Sequence, residues 1–362
     1  MYLPNSPMKG FVLTGFGGKD KLVWREDLPI PQPGEGEVLI RISASSVNNT
    51  DINARIGYYS KALRNETANA ERGGGPSAEE IDAASMIVPH LLPRIQGADC
   101  CGRIVAVGPG VDPARVGERV LVRACQIKGP ADAKESSFVL GARCDGGFAE
   151  YAKVSDHDAF AIRSPLTDVE LACIPCAYST AETMLDRAHV GAERILITGA
   201  SGGVGSAAIQ LAKRRGATVT ALTTPEKAAA VRELGADEII GRDDALPAKM
   251  FDVVVDLVAG ARWSDFIASL RYRGRYVTAG ASAGPLVNFD VRDLYFNDLR
   301  FFGVSSLQPA HIFPDLIGYI ERGEIRPVVA ETFPLAELHA AQDAFLSKRY
   351  VGKIGIVVAS DL

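Results

Sequence analysis

At 362 residues the chain is too long for one ordinary core, and two domains of about 100–200 residues each are expected. The formal net charge of -5, with no run of Lys or Arg, argues against a nucleic-acid partner. No apolar run reaches the ~18 residues of a membrane span, residues 1–7 lack the features of a secretory signal, and the 6 irregularly spaced Cys read as free thiols of a reducing cytoplasm.

The first ~160 residues are β-rich in pattern, with strands expected over 9–13, 37–43, 102–107 and 119–123. Pro29, Pro31, Pro33, Gly34 and Gly36 punctuate them. Residues 60–93 form an irregular insertion centred on Gly73, Gly74 and Gly75, which reads as a lid or binding loop or as a surface loop without function. From about Ala192 to Ser305 the pattern changes to short apolar runs alternating with helices. Strands are expected over 194–198, 218–222, 238–240, 252–258, 275–279 and 300–304. Helices are expected over 204–213, with Val204, Ala207, Ala208, Leu211 and Ala212 on one face, and over 225–234. Gly216 supplies a stop. Six such strands make a parallel sheet covered on both faces, in two mononucleotide-binding halves. After Leu307 the character is mixed, and the chain closes on an apolar strand over 354–358.

Ala200-Ser201-Gly202-Gly203-Val204-Gly205 follows the first of these strands and opens a helix. That context makes a Gly-rich string a dinucleotide site. The glycines let the backbone approach a pyrophosphate, and the free N–H groups and dipole of the helix start hold its charge. The end of the second strand selects between the two nicotinamide dinucleotides. An NAD site places an acid there for the ribose hydroxyls; this chain has Thr223 and Thr224, with Lys227 three residues further on and Arg242 ending the third strand. NADP(H) is therefore the expected cofactor, unless Lys227 and Arg242 are only solvated charges.

Further segments carry a family resemblance over nearly the whole length. They are Met8-Lys9-Gly10-Phe11-Val12, Val47-Asn48-Asn49-Thr50-Asp51 with Gly57-Tyr58-Tyr59, and Gly97-Ala98-Asp99-Cys100-Cys101-Gly102. Gly146-Gly147-Phe148-Ala149-Glu150-Tyr151, Cys176-Ala177-Tyr178-Ser179-Thr180-Ala181 and Gly352-Lys353 complete the set. With these the chain resembles the medium-chain dehydrogenase/reductase superfamily. The resemblance implies an α/β protein: a GroES-like β-rich catalytic domain from residues 1–160 and 306–362, around a doubly wound Rossmann domain over 161–305. It makes residues 1–7 an extension.

Zinc alcohol dehydrogenases of that family hold their catalytic metal with Cys, His and Cys. Those positions are here Asn48, Ala98 and Cys176. One thiolate does not satisfy a catalytic zinc, which wants three protein ligands. Asp99, Cys100 and Cys101 offer a less favoured ligand set; the two cysteines otherwise read as strand interior. The four-Cys structural zinc lobe is missing too, with only Cys125 and Cys144 in its region, and the five His (His90, His157, His189, His311, His339) are scattered. No metal is expected. The resemblance is then to the zinc-free quinone and enone reductases, which deliver hydride to an already electrophilic conjugated carbonyl. Two alternatives stand: an alcohol or carbonyl dehydrogenase with atypical zinc ligands, and a dinucleotide-binding protein without turnover.

The resemblance places Asn48, Tyr59 and Thr180 beside the nicotinamide. Tyr59 is the candidate proton donor or a packing aromatic, and Thr180 a positioning group. Cys176 lines the cleft, as a reactive or an inert thiol. Asp51 and Arg55 are expected to pair. Gly280, past the fifth strand, and Lys353 join Ser201, Gly202, Gly203, Val204, Gly205, Thr180, Thr223, Thr224, Lys227 and Arg242 as cofactor-binding candidates. The partners expected are a small-molecule substrate and a second copy of the chain: the strand over 299–304 lies at a sheet edge, which the family commonly pairs across a two-fold axis into a homodimer, or a homotetramer built from dimers.

Overall fold

The computed structural model describes residues 7–61, 67, 91–127 and 137–359. Most of the 60–93 insertion therefore lies outside the described residues, as does His90. Three strand runs build the amino-terminal part. β1 (Met8–Leu13) pairs antiparallel with β2 (Leu22–Leu28) and, after β3 (Glu37–Ser46), with β4 (Arg94–Ile95). β3 is also the spine of a larger sheet, joined by β5 (Cys101–Val107) and β6 (Arg119–Val122). β7 (Cys125–Ile127) and β8 (Ser137–Val139) form a separate ribbon, while β9 (Tyr151–Ser155) and β10 (Ala159–Ala161) return to the larger sheet.

The six-stranded sheet follows: β11 (Arg194–Ile197), β12 (Thr218–Thr223), β13 (Glu238–Gly241), β14 (Phe251–Asp256), β15 (Leu270–Thr278) and β16 (Arg300–Gly303). All its pairings are parallel, in the order β13-β12-β11-β14-β15-β16. The order reverses between β11 and β14, and such a switch point opens a crevice beyond the carboxyl ends of the strands. The last strands, β17 (Val329–Pro334) and β18 (Lys353–Val357), rejoin the first sheet, with β18 antiparallel to β3. Both chain ends thus build one β-rich unit around the parallel one.

Helices fill the layers. α1 (Asn49–Arg55) and α2 (Asp168–Ala172) precede α3 (Pro175–Arg187), which packs on α4 (Gly203–Arg214) over β11. Ala207, Ala208, Leu211 and Ala212 of α4 are fully buried against Ala181, Met184 and Leu185 of α3, so small and large residues interlock across this face. Gly216 ends the turn after α4 at φ +80, a conformation that glycine adopts without a Cβ penalty.

Several boundaries differ from the sequence reading, and three of the differences are informative. β14 stops at Asp256 rather than running to 258, because the Asp256 carboxylate accepts the N–H groups of Val258 and Ala259 and turns the chain. β15 begins at Leu270, five residues early, across a register shift at Arg273 (φ +61) that its exposed polar residues hide. The helix expected over 225–234 is a short 3-10 turn (Pro225–Lys227) followed by a helix over Ala228–Glu233.

Candidate active site

The Gly-rich turn lies at the head of the switch point. Gly199 has φ +58, and Gly202 caps α4, receiving no side chain but donating its N–H to the Gly199 carbonyl at 3.0 Å. A Cβ at Gly205 would stand 2.3 Å from the Gly199 oxygen and 2.6 Å from the Ala200 Cα, so this glycine is required by the helix–strand contact itself. At Gly202 the nearest atom would be 3.5 Å away, which leaves open space for a ligand to approach the backbone. Both features fit a dinucleotide cradle.

The closing segment reaches this turn from the other unit. Gly352 donates its N–H to the Ser201 carbonyl at 2.9 Å. The Lys353 methylenes pass over Gly203, where a Cβ would meet Cδ at 2.5 Å. Beyond them the ammonium is 3% exposed and donates to Val47 O at 3.1 Å, to Asp99 Oδ2 at 3.2 Å and to Asn48 Oδ1. Asp99, fully buried, also accepts the Cys176 N–H at 2.7 Å, the Asn48 amide at 2.7 Å and the Ser46 hydroxyl. Lys353 and Asp99 are thus a buried ion pair with its remaining acceptor sites filled, the condition under which such a pair is tolerated.

The three positions that carry zinc ligands in the resemblance converge on this network. Asn48 caps α1 and gives both side-chain atoms to Asp99 and Lys353. The Ala98 N–H donates to Asp51 Oδ1 at 3.0 Å, and the Asn48 N–H to Asp51 Oδ2 at 2.9 Å. Burial pushes the Asp51 carboxyl up to about 7, with the Asp99 charge adding to it against the pull of its backbone donors and Lys353. Cys176 is held well above its ordinary thiol range by burial and by Asp99, which favours the protonated thiol. Cys100 and Cys101 are both buried, and Cys101 alone is in a strand. Among the described residues no three His, Cys, Asp or Glu groups are arranged to hold a metal ion.

The expected pairing of Asp51 with Arg55 is not made. Asp51 turns to the two backbone donors above, whereas the buried Arg55 donates to the Gly17 carbonyl at 2.7 Å and to Gln342 at 3.1 Å.

Tyr59, half-buried, donates to the Thr50 hydroxyl at 3.3 Å, and burial holds its phenol above the ordinary range. The phenol is therefore held in its protonated form. The Thr180 hydroxyl donates to the Cys176 carbonyl at 2.7 Å, one turn back on α3, so its proton is committed to the helix backbone. At the end of β12 the Thr223 hydroxyl is buried with no hydrogen-bond partner among the described residues. Thr224 is engaged by Glu226, whose carboxylate that bond lowers. Lys227 donates to the Lys348 carbonyl. Neither Lys227 nor Arg242 forms an ion pair among the described residues, and desolvation followed by Arg242 lowers the Lys227 ammonium. Gly280 sits past β15 with its N–H toward Thr278 Oγ1.

Sequence reading missed Lys348. This residue ends the last helix at φ +52, lays its ammonium 3.7 Å over the Phe345 ring and reaches Asn49 at 3.4 Å. Desolvation first, then Lys227 and Lys353, bring it down to about 8. It lies 121 positions from Lys227, and a lone Lys near a chain end carries no signal in a sequence.

Family profiles match both units. Residues 34–164 match the alcohol dehydrogenase GroES-like domain and residues 203–322 the zinc-binding dehydrogenase domain. A Sinorhizobium meliloti 1021 protein, provisionally named an alcohol dehydrogenase, is 41% identical in sequence, and its crystal structure superposes with a TM-score of 0.88 over 98% of this chain and 97% of that one. The chain belongs to the medium-chain dehydrogenase/reductase superfamily. Quinone oxidoreductase of Lama guanicoe is 28% identical, covering 97% of this chain and 98% of its own. Acryloyl-coenzyme A reductase of Sulfurisphaera tokodaii is 27% identical over 96% and 99%. The chain is an oxidoreductase with the α/β architecture of that superfamily, whose members bind a nicotinamide dinucleotide and act on small molecules. No helix among the described residues is long and apolar enough to cross a membrane.

Proposed function

We propose that this protein is a cytoplasmic, zinc-free reductase that passes hydride from NADPH to a quinone, an enone or a related conjugated carbonyl. The observation that carries this reading is the filling of the metal-ligand positions: Asn48 is spent on the Lys353–Asp99 pair, and Ala98 offers only its N–H. Without a Lewis acid the carbonyl must be activated by its own conjugation. The names of two relatives, a quinone oxidoreductase and an acryloyl-coenzyme A reductase, agree with such substrates.

The division of labour follows the two units. Residues 161–305 hold the dinucleotide, and residues 1–160 with 306–362 present the substrate. When bound, NADPH supplies the hydride. Gly202, Gly203, Val204 and Gly205 present the turn and helix start to the pyrophosphate, with Ser201 and Lys353 beside it. Thr223 Oγ1 would find its partner at the ribose, and Lys227, Arg242 and Lys348 would supply positive charge for a 2′-phosphate. Asn48 and Thr180 line the nicotinamide pocket with Gly280, and Tyr59 O–H protonates the oxygen on which the substrate's charge collects.

NADPH should bind at least tenfold more tightly than NADH, about 1.4 kcal/mol, and Lys227→Ala should abolish that ratio in a fluorescence titration. Equal affinities in the wild type would defeat the cofactor assignment. Oxidation of NADPH by a small quinone panel tests the activity itself. Purified protein should carry well under one zinc per chain and keep that activity in chelator. Stoichiometric zinc, lost together with activity, would favour an alcohol dehydrogenase with atypical ligands.

A homodimer, alone or doubled into a tetramer, is part of the same reading. β16 is the edge of the six-stranded sheet, and the segment before it exposes Leu286, Val291, Tyr295 and Phe296. An apolar edge of that kind invites its own copy. Phe302 packs partly into the core, so Phe296→Asp, at a residue 70% exposed, is the cleaner disruption. Sedimentation at micromolar protein should give twice or four times 38.5 kDa for the wild type and less for the variant. A wild-type monomer would end the proposal.

A further inference from the structure

Besides the closing segment at the Gly-rich turn, the two units are tied together next to the crevice by a tyrosine that the chemistry above does not use. Gly57 (φ +69) ends the α1 segment, and the Tyr58 N–H bonds back to the Asn53 carbonyl at 2.8 Å. Its ring is 9% exposed and stands edge-on to Tyr59, with centroids 6.1 Å apart and planes at 81°. The hydroxyl crosses to the other unit and donates to the Ala281 carbonyl at 2.6 Å, over 223 positions of sequence.

Ala281 lies just past β15, in a loop with few other restraints. Gly284 (φ +121) donates to the same Ala281 carbonyl at 3.0 Å, Ala283 N–H donates to Val258 O at 2.9 Å, and Ser282 Oγ donates to Leu257 O at 3.4 Å. The first of these bonds closes the loop after β15 on itself, and the other two join it to the loop after β14. Tyr58 joins the loop after β15 to the β-rich unit. In a sheet built of two mononucleotide-binding halves, β11–β13 take one nucleotide and β14–β16 the other. The Gly-rich turn and Thr223 mark the first half as the adenosine side, so the loops after β14 and β15 form the nicotinamide side.

We propose that Tyr58 is a positioning residue for the nicotinamide end of the dinucleotide. By fixing the Ala281 carbonyl it sets the backbone of residues 279–284 against which that ring lies. Through its neighbour Tyr59, it also places the proton donor and the hydride donor in a single frame. The proposal rests on the reading of the crevice as a dinucleotide site, and it adds a role that proximity to a substrate would not assign.

The test compares a whole dinucleotide with its adenosine half. Tyr58→Phe keeps the ring and removes only the donor. It should weaken NADPH about tenfold by calorimetry while leaving 2′,5′-ADP, which reaches only the β11–β13 half, within twofold of wild type. Amide exchange at Ala283 and Gly284 should quicken in the variant with the melting temperature unchanged. Unaltered NADPH affinity, or equal losses for NADPH and 2′,5′-ADP, would overturn the proposal, the second by making Tyr58 a general structural group. If the wild type binds neither NADPH nor NADH, the crevice reading fails and the proposal goes with it. If it prefers NADH, only the cofactor choice is wrong, and the same comparison is run with NADH and AMP.

Discussion

Replacing Lys353 with methionine should destabilise the protein by about 3–5 kcal/mol, because it strands the Asp99 carboxylate in the interior. Methionine retains most of the apolar stem that lies over Gly203, so packing is largely preserved and the change isolates the charge. Asp99 would keep the Cys176 N–H, the Asn48 amide and the Ser46 hydroxyl, but no cation. Asn48 would lose the donor to its Oδ1, and the Val47 carbonyl would lose one as well. Adding Asp99→Asn to the methionine variant should recover part of the loss, since the uncompensated charge is then gone. That non-additivity separates the ion pair from simple packing. Thermal unfolding of the single and double variants decides it. A Lys353→Met protein melting within 2 °C of wild type, on the scale of about 2–4 °C per kcal/mol, would show that the pair carries little.

This pair also marks the boundary of what a sequence can tell. The parallel unit was legible almost strand by strand, because buried strands are continuous apolar runs and the helices between them carry a 3.6-residue period. The Gly-rich turn was legible for the same local reason. Asp99 and Lys353 were each visible only as parts of separate segments, since 254 positions lie between them. Asn48 and Cys176 were found, but their partners were not: which acid faces which ammonium depends on how β18 registers against β3. Asp51 and Arg55 show the converse error. Four residues apart on one helix is the spacing of an ion pair, yet two backbone donors, one at the helix start and one in the segment between β4 and β5, satisfied Asp51 first. The partner of the Tyr58 hydroxyl and the place of Lys348 escaped for the reason that the Lys353–Asp99 pairing did. Long-range contacts join residues that no periodicity relates.

Replacing Gly205 with valine should reduce dinucleotide affinity by more than ~100-fold, or about 2.7 kcal/mol. The argument is steric and concerns backbone on both sides. The new Cβ would lie 2.3 Å from the Gly199 oxygen, 2.6 Å from the Ala200 Cα and 2.8 Å from the Ala200 carbonyl carbon, and none of these atoms can swing aside. Either α4 backs away from the turn or the turn itself opens. The first route disturbs the seating of Ala207, Ala208 and Leu211, all fully buried, at a cost of about 1–3 kcal/mol. Both routes move the N–H groups of residues 202–205, whose common direction makes the anion seat. Gly202→Ala supplies the control. Its Cβ meets nothing closer than 3.5 Å and its φ of -79 suits any residue, so the fold should be untouched. Any affinity that variant loses reports the approach of the pyrophosphate to the backbone alone. Calorimetric titration with NADPH, alongside far-ultraviolet dichroism of both variants, separates the two effects. Gly205→Val binding within threefold of wild type would mean that the turn at residues 201–205 is not where the dinucleotide is held.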